Sequence, residues 1–439
     1  MNKFAIVSLG CPKNLVDSEY FKQIFLDYGL IYTEIPEEAK YILINTCGFI
    51  NPAKEESINN ILEYAELKHN NKNVKLIVTG CLVKRYIDVL KKEISEVDYW
   101  IGLKDFDLLK NILSQMPATV KSSDKHEQLP LKRSILTPHH YAYLRVSDGC
   151  NNHCSYCAIP SIRGDLQSES IESLIKEAKT LANQGVKELI INAQDTAQYG
   201  TDLYKQQRLI DLLKEVQKIQ DFRWIRLLYL HPAHLTFEII DELAKIKKLC
   251  HYFDIPIQHI NDDILKDMNR HTDKAHIISI LSHIRKRIPD AVLRTSLITG
   301  FPGEDVKRFN ELLRFIQEMK FDKLGVFSYS PEEGTTAADL PKQVTPKTAD
   351  RRRDKIMALQ QAISAENLVR FIGKELEVII DNESKEDGYQ WEARSEYDAP
   401  DIDGIVYIKQ SNRNIGDIVK VKIIDSLEYD LIAEEVWAM

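Results

Sequence analysis

Cys150-Asn151-Asn152-His153-Cys154-Ser155-Tyr156-Cys157 sets three thiols in a C-x3-C-x2-C run. Three thiolates in one tight loop can hold three irons of a four-iron cluster and leave the fourth iron without a protein ligand. Closely spaced cysteines commonly hold such clusters. An open iron can chelate a small molecule and pass it an electron. A structural zinc site would need four protein ligands, usually as paired C-x2-C units, and here His153 would have to be the fourth.

The run follows a strand-like stretch at 141–146, and the same alternation repeats downstream. Apolar runs at 188–193, 223–228, 252–257, 291–298 and 323–328 read as strands. Helical periodicity fills 168–183, 205–219, 236–247, 262–287 and 305–319, and Gly185 is a stop signal for the first of these helices. Six βα units in series predict an open barrel related to the eight-unit form, with its chemistry at the carboxyl ends of the strands. Gln194 and Asp195 fall at the second such end, and Gln258 and His259 at the fourth. Thr299-Gly300-Phe301-Pro302-Gly303-Glu304 falls at the fifth. Gly300 and Gly303 suit either a tight turn or close backbone approach to a ligand. Gln258 and His259 equally suit a turn cap. Arg163-Gly164 reads as a simple turn, Arg351-Arg352-Arg353 as an exposed helix face, and Cys250 as core.

The first third of the chain repeats the three-cysteine logic at longer range. Strand-like runs at 4–9, 41–46 and 74–79 lead into Cys11, Cys47 and Cys81, with helical patterns at 14–28 and 52–69 between them. Alternating strands and helices imply βαβ units and a parallel sheet, whose carboxyl strand ends share one edge. That topology would gather the three thiols into a second site. Three unrelated buried cysteines are the alternative, and spacing does not separate iron from zinc here. The stretch 113–136 is polar and turn-rich and reads as a linker.

Composition is that of a globular protein, 44% hydrophobic and 28% charged, with no apolar run long enough to cross a bilayer. Met1-Asn2-Lys3-Phe4 leads directly into a strand rather than a secretory signal, which predicts a cytoplasmic protein with reduced thiols. The formal charge of −8 gives no hint of a nucleic-acid binder as a whole. Residues 370–439 hold 17 Asp and Glu against 8 Lys and Arg. Short strands at 375–380, 405–408, 417–424 and 431–436, separated by turn signals, predict a small five-stranded all-β barrel there. The acidic excess opposes phosphate binding and suits either a solvated acidic surface or a docking surface for a basic partner.

The C-x3-C-x2-C run, with Tyr156 before its last cysteine, resembles the radical S-adenosylmethionine (SAM) superfamily. The whole chain is similar to the methylthiotransferases of that superfamily. They join an N-terminal three-cysteine domain (here 1–112), a radical SAM barrel (137–367) and a C-terminal TRAM domain (370–439). The fold class expected is therefore α/β: a Rossmann-like βαβ domain, an open (βα)6 barrel and a small β-barrel. Ser8-Leu9-Gly10-Cys11-Pro12-Lys13-Asn14-Leu15-Val16-Asp17-Ser18-Glu19 resembles the opening motif of the RimO branch. Ala193-Gln194-Asp195-Thr196, Tyr329-Ser330-Pro331-Glu332-Glu333-Gly334-Thr335 and the stretch 394–404 fit the same branch.

The resemblance implies that Cys150, Cys154 and Cys157 hold a SAM-cleaving [4Fe-4S] cluster, and that Cys11, Cys47 and Cys81 hold an auxiliary one. It implies SAM contacts at Tyr156, Gln194, Asp195, Gly300 and Gly303. The implied substrate is an aspartate of small-subunit ribosomal protein twelve, and the implied electron donor a flavodoxin or ferredoxin. A MiaB-like tRNA adenosine methylthiotransferase is the alternative enzyme. A zinc-stabilised RNA-binding protein is the alternative outside catalysis.

Overall fold

The computed structural model describes residues 2–115 and 133–436, so most of the linker expected at 113–136 lies outside the described residues. The chain divides into two compact units. One comprises Met1–Thr137, Asp148–Cys150 and Ala158–Asp165, and the other Pro138–Ser147, Asn151–Cys157 and Leu166–Met439.

In the first unit β1 (Lys3–Ser8), α1 (Pro12–Asp27), β2 (Ile31–Tyr32), β3 (Tyr41–Thr46), α2 (Asn51–Asn70), β4 (Lys75–Gly80), α3 (Cys81–Glu93), β5 (Tyr99–Trp100) and α4 (Phe106–Ser114) alternate. The short α5 (Ile159–Arg163) belongs to the same unit. The sheet order is β2-β1-β3-β4-β5, and every pair is parallel. β3 is buried along its length because helices cover both faces. Ile42 and Ile44 join one core with Ile61 and Val83, while Leu43 points to the other with Phe4, Phe21 and Phe25. Parallel pairing therefore brings the carboxyl ends of β1, β3 and β4 to one edge.

The second unit begins with β6 (Tyr141–Arg145), followed by the two-residue strands β7 (Ser147–Asp148) and β8 (Gln167–Ser168). Next come α6 (Ile171–Asn183), β9 (Glu188–Asn192), α7 (Leu209–Val216), β10 (Trp224–Leu227), α8 (Phe237–Leu243) and β11 (Tyr252–Asp254). The series ends with α9 (Asp262–Asp267), α10 (Lys274–Arg287), β12 (Val292–Thr299), α11 (Val306–Met319), β13 (Lys323–Ser328) and α12 (Pro346–Leu368). The six long strands form two parallel three-stranded groups, β10-β9-β6 and β11-β12-β13. Gly185, at φ 93°, ends α6 as its position foretold.

A closed barrel follows, ordered β14-β15-β16-β18-β17, from β14 (Glu375–Glu383), β15 (Trp391–Ser395), β16 (Val406–Ile408), β17 (Ile418–Ser426) and β18 (Leu431–Glu435). Sequence periodicity found four of these strands. β15 escaped it because its buried positions include Arg394 and Ser395, which break the apolar alternation.

The reason those polar residues are buried is that the small barrel docks on the amino ends of the large barrel's strands. Glu188, first residue of β9, accepts from Arg226 at 2.7 Å and from Arg394 at 2.6 Å. Arg394 also holds Asp381 at 2.6 Å, and Asp381 meets the His140 ring at 2.7 Å. Tyr252 and Lys323, first residues of β11 and β13, donate to Asp403 at 2.7 Å and Asp398 at 2.6 Å. Four aspartates of the acidic C-terminal segment, Asp381, Asp398, Asp401 and Asp403, are thus engaged by the protein's own side chains. The segment's excess charge is in part internal packing chemistry rather than a free surface.

This dock is expected to be acid-sensitive. Burial pushes the Asp381 carboxyl upward, but Arg394 and His140 outweigh it and hold the group below its ordinary value. A depressed carboxylate contributes stability that is complete above its unfolded pKa of about 3.9 and is lost as pH falls through the folded value. The unfolding free energy is therefore expected to drop below about pH 4, and Asp381→Asn to flatten that limb; denaturant titrations from pH 7 to pH 3 check it.

Candidate metal centres

Cys11 is the N-cap of α1, with Pro12 at the first helical position, and Cys81 is the first residue of α3. Cys47 follows β3, with its N–H on the Ser57 hydroxyl at 2.9 Å and that hydroxyl donating back to the Cys47 carbonyl at 2.8 Å. The loop glycines permit this convergence. Gly10, at φ 85°, has room only for hydrogen, because a Cβ there would sit 2.8 Å from Cys47 Sγ. Gly80, at φ 105°, lies against the Thr46 carbonyl in the same way, 2.4 Å from where a Cβ would be.

The three thiols are close enough to perturb one another. Burial lifts Cys47 above its ordinary value, and Cys11 adds to the shift. Burial pushes Cys81 up to about 12, against the pull of Arg163 and with Cys11 and Cys47 adding. Groups this far from ionising at neutral pH become thiolates when a metal displaces the proton. Sulfur donors at one buried edge, two of them at helix N-termini that favour negative charge, fit an anionic iron–sulfur centre.

Helix α1 supplies the scaffold through a row of buried polar side chains. Asn14 donates to Leu9 O at 3.0 Å and Thr46 O at 2.9 Å, tying the ends of β1 and β3 together. Asn45 donates to Asn14 O at 2.8 Å and to the Ser18 hydroxyl at 2.9 Å. Glu19 pairs with Arg133 at 2.6 Å and accepts from Leu136 N–H at 2.9 Å. The motif Asn14…Asp17-Ser18-Glu19 is thus a set of fasteners at the cysteine edge.

The loop 150–157 is shared by the two units. In the first, Cys150 donates its N–H to Gly164 O at 3.1 Å. In the second, Cys157 N–H reaches Cys154 O at 3.0 Å, and Ser155 donates its N–H to Met268 O at 3.0 Å and its hydroxyl to Asp267 O at 2.7 Å. Arg270, 3% exposed, donates to Cys154 Sγ at 3.6 Å and the Tyr156 hydroxyl at 3.3 Å. Half-buried thiols beside a buried guanidinium suit a thiolate-bound cluster.

Asp195 is the hub of the neighbouring carboxyl strand ends. It accepts from Asn152 at 2.9 Å, from Ala197 N–H at 3.1 Å and from His231 N–H at 3.3 Å, and it pairs with the His234 ring at 2.7 Å. Gln198 bridges Asn152 and His234. Asp195, His231 and His234 bring ligand atoms within 4.8 Å of one another. Burial, and then Arg270, hold His231 well below its ordinary value, so its ring is neutral at neutral pH. Non-glycine residues with left-handed backbone gather in these loops: His153, Tyr229, Gln258, Asn269 and His271. Each such residue costs on the order of 1–2 kcal/mol, a strain that collects at functional sites.

Other sequence readings take different places. Gln194 is half-buried after β9. Gly300, at φ 78°, faces Ala349 of α12, whose Cβ lies 2.3 Å from where one on Gly300 would be, so helix packing requires this glycine. Its N–H is held by Glu304 at 3.2 Å. Around Gly303 a Cβ would meet only Ile264, at 3.9 Å. His259 is a buried cap that accepts from Asn261 N–H at 3.0 Å. Cys250 is core, 1% exposed.

Two expectations are overturned. Arg352 is not on an exposed face: it is buried and pairs with Glu304 at 2.6 Å, bracing the 300–304 loop. Arg163 is not a plain turn residue either, since its side chain is 1% exposed and paired with Asp17 and Asp148. Sequence reasoning also passed over Asn14, Asn152, Arg270, His231 and His234. For the residues of α1 the available signal was a run of polar side chains on a helix whose neighbours are core.

Known proteins place this geometry. Residues 144–316 match the Radical SAM superfamily, 3–102 the Uncharacterized protein family UPF0004, and 372–436 the TRAM domain. The Ribosomal protein uS12 methylthiotransferase RimO of Clostridioides difficile (strain 630) is 45% identical over 447 residues, covering 100% of both chains. The chain belongs to the RimO family. The protein of the same name from Aquifex aeolicus (strain VF5) is 44% identical, covering 100% of this chain and 98% of its own. Membership makes the protein a radical SAM methylthiotransferase and implies SAM and a [4Fe-4S] cluster. Among solved structures, the radical SAM methyltransferase TsrM from Kitasatospora setae, with cobalamin and a [4Fe-4S] cluster bound, superposes with TM-score 0.54 at 13% identity. That match covers 77% of this chain and 74% of TsrM, and shows shared fold alone. No helix among the described residues is long and apolar enough to cross a membrane.

Proposed function

We propose that this protein inserts sulfur and a methyl group at the β-carbon of an aspartate of uS12, small-subunit ribosomal protein twelve, giving 3-methylthioaspartate. The observation that carries the reading is the full-length similarity to RimO proteins at 44–45% identity. Two cysteine trios, Cys150, Cys154, Cys157 and Cys11, Cys47, Cys81, each hold a [4Fe-4S] cluster with one iron free of protein sulfur. When bound, the clusters and SAM supply reductive SAM cleavage, the hydrogen-abstracting radical that results, and the sulfur and methyl that are transferred. The β-carbon carries an unactivated C–H bond that no side-chain base deprotonates near neutral pH, which is why a radical cofactor is required.

The chain's own residues bind and orient. Arg270 fixes Cys154, and Asp195, with Asn152 and Gln198, sets the polar wall beside the loop. Tyr156, Gln194, Asp195, Gly300 and Gly303 are the SAM contacts in this reading. The three-cysteine domain spans 1–112, the radical SAM domain 137–367 and the TRAM domain 370–439. The enzyme works in the cytoplasm, with a flavodoxin or ferredoxin as electron donor.

Intact-mass measurement of uS12 from cells with and without this gene tests the reading. The gain of one methylthio group, lost on deletion and restored by the gene, is expected. Unchanged uS12 with loss of a methylthio mark on tRNA adenosine would transfer the assignment to the tRNA reaction.

A further inference from the structure

Arg163 lies in the first unit six residues after Cys157, on the last turn of α5. One guanidinium nitrogen reaches Asn14 Oδ1 at 2.6 Å, Asp17 at 3.0 Å and Cys81 Sγ at 3.7 Å. The other binds both Asp148 oxygens at 3.1 Å. Lys104 also pairs with Asp148. Cys81 packs with Ala158, Ile162 and Leu103, so α5 closes over this sulfur. Among these charged groups Arg163 reaches the cysteine. Deleting Arg163 removes a positive charge from beside a buried sulfur.

We propose that Arg163 tunes the auxiliary cluster, raising its reduction potential by hydrogen bonding to Cys81 and by its buried positive charge. The proposal rests on the reading that Cys11, Cys47 and Cys81 hold a four-iron cluster. Cluster potentials respond to net charge, to hydrogen bonds to sulfur and to solvent exposure. A reduced cluster carries one more negative charge than an oxidised one, so a fixed cation stabilises the reduced form. Asn14 and Asp17 hold the guanidinium in place, which gives the opening motif of the chain an electrostatic role. Arg163 also fixes Asp148, two residues before Cys150, while Gly164 O accepts from Cys150 N–H at 3.1 Å. One side chain therefore touches a ligand of one trio and orders the approach to the other. Arg163 is a positioning residue, since it acts through Cys81 rather than on substrate.

The test uses the full-length chain with Cys150, Cys154 and Cys157 all replaced by alanine, reconstituted anaerobically with iron and sulfide. Iron content and redox titration followed by electron paramagnetic resonance are read for this parent, Arg163→Met, Arg163→Lys and Asp17→Asn. Arg163→Met is expected to lower the ratio of reduced to oxidised cluster about tenfold at the parent's midpoint potential, a shift of about 59 mV for a one-electron couple. Arg163→Lys keeps the charge and is expected to shift it less. Asp17→Asn removes a negative charge and is expected to shift it the opposite way. A merely structural role would not reverse sign between Arg163→Met and Asp17→Asn. If the parent binds no four-iron cluster, the cofactor reading fails and takes the proposal with it. If the parent binds one and the midpoints do not move, the reading stands and the proposal is wrong. If Arg163→Met does not load, the Asp17→Asn and Arg163→Lys midpoints decide.

Discussion

Replacing Cys154 with alanine is expected to abolish SAM cleavage, while Cys47→Ala keeps cleavage and loses methylthiolation. Cys154 is the sulfur on which Arg270 is trained, and its loop is fastened to the 267–269 turn through Ser155 and Asn269. The loop backbone thus has anchors that do not depend on the thiol, so Cys154→Ala is expected to remove a proposed cluster ligand without unfolding its surroundings. With two thiols left, a cluster held by this trio would lose one of its three protein ligands, and SAM its site on the open iron. The loss should exceed about a thousandfold, or ~4 kcal/mol of barrier. Cys47 belongs to the other trio, which in the proposed reading would take no part in the first step. 5′-Deoxyadenosine release with a chemical reductant reads the first step, and the uS12 mass reads the whole reaction. Methylthiolation by either variant would break the division of labour between the trios.

The second large effect is on stability. Glu188 lies at 0% exposure between two guanidinium groups, those of Arg226 and Arg394. Glu188→Gln leaves both cations buried against a neutral amide. Breaking a buried ion pair from one side costs about 3–5 kcal/mol. In a unit of this size the melting midpoint is expected to fall by the order of 10 °C. Arg394→Met should cost less at Glu188, which keeps Arg226, but it frees Asp381 from its main cation. Thermal unfolding followed by circular dichroism distinguishes them; an unchanged midpoint in Glu188→Gln would mean that the network adds specificity rather than stability. The same network explains the stretch 394–404. That stretch is the seam along which the small barrel meets the strand starts, where Arg394, Asp398, Asp401 and Asp403 find their partners.

Much of the fold was legible because it is written in periods. The strand Tyr41–Thr46 and the strand Lys323–Ser328 were read to the residue, since apolar runs closed by turn residues have one economical solution in a parallel sheet. The run at 150–157 was legible as a motif because thiols are few and their spacing there is chemical. β15 was not legible, because Arg394 is buried by partners in distant sequence, 206 residues away in the case of Glu188.

By itself, then, the sequence determined the domain order, the parallel sheets and the family. These follow from local periodicity and short-range motif, which act along the chain. Only the tertiary structure decided which charges are buried. Arg163, Arg270, Arg352 and Arg394 resemble any surface arginine in sequence. What makes each one matter is a carboxylate or sulfur brought to it by the fold, since a buried charge persists only where the packing supplies its partner.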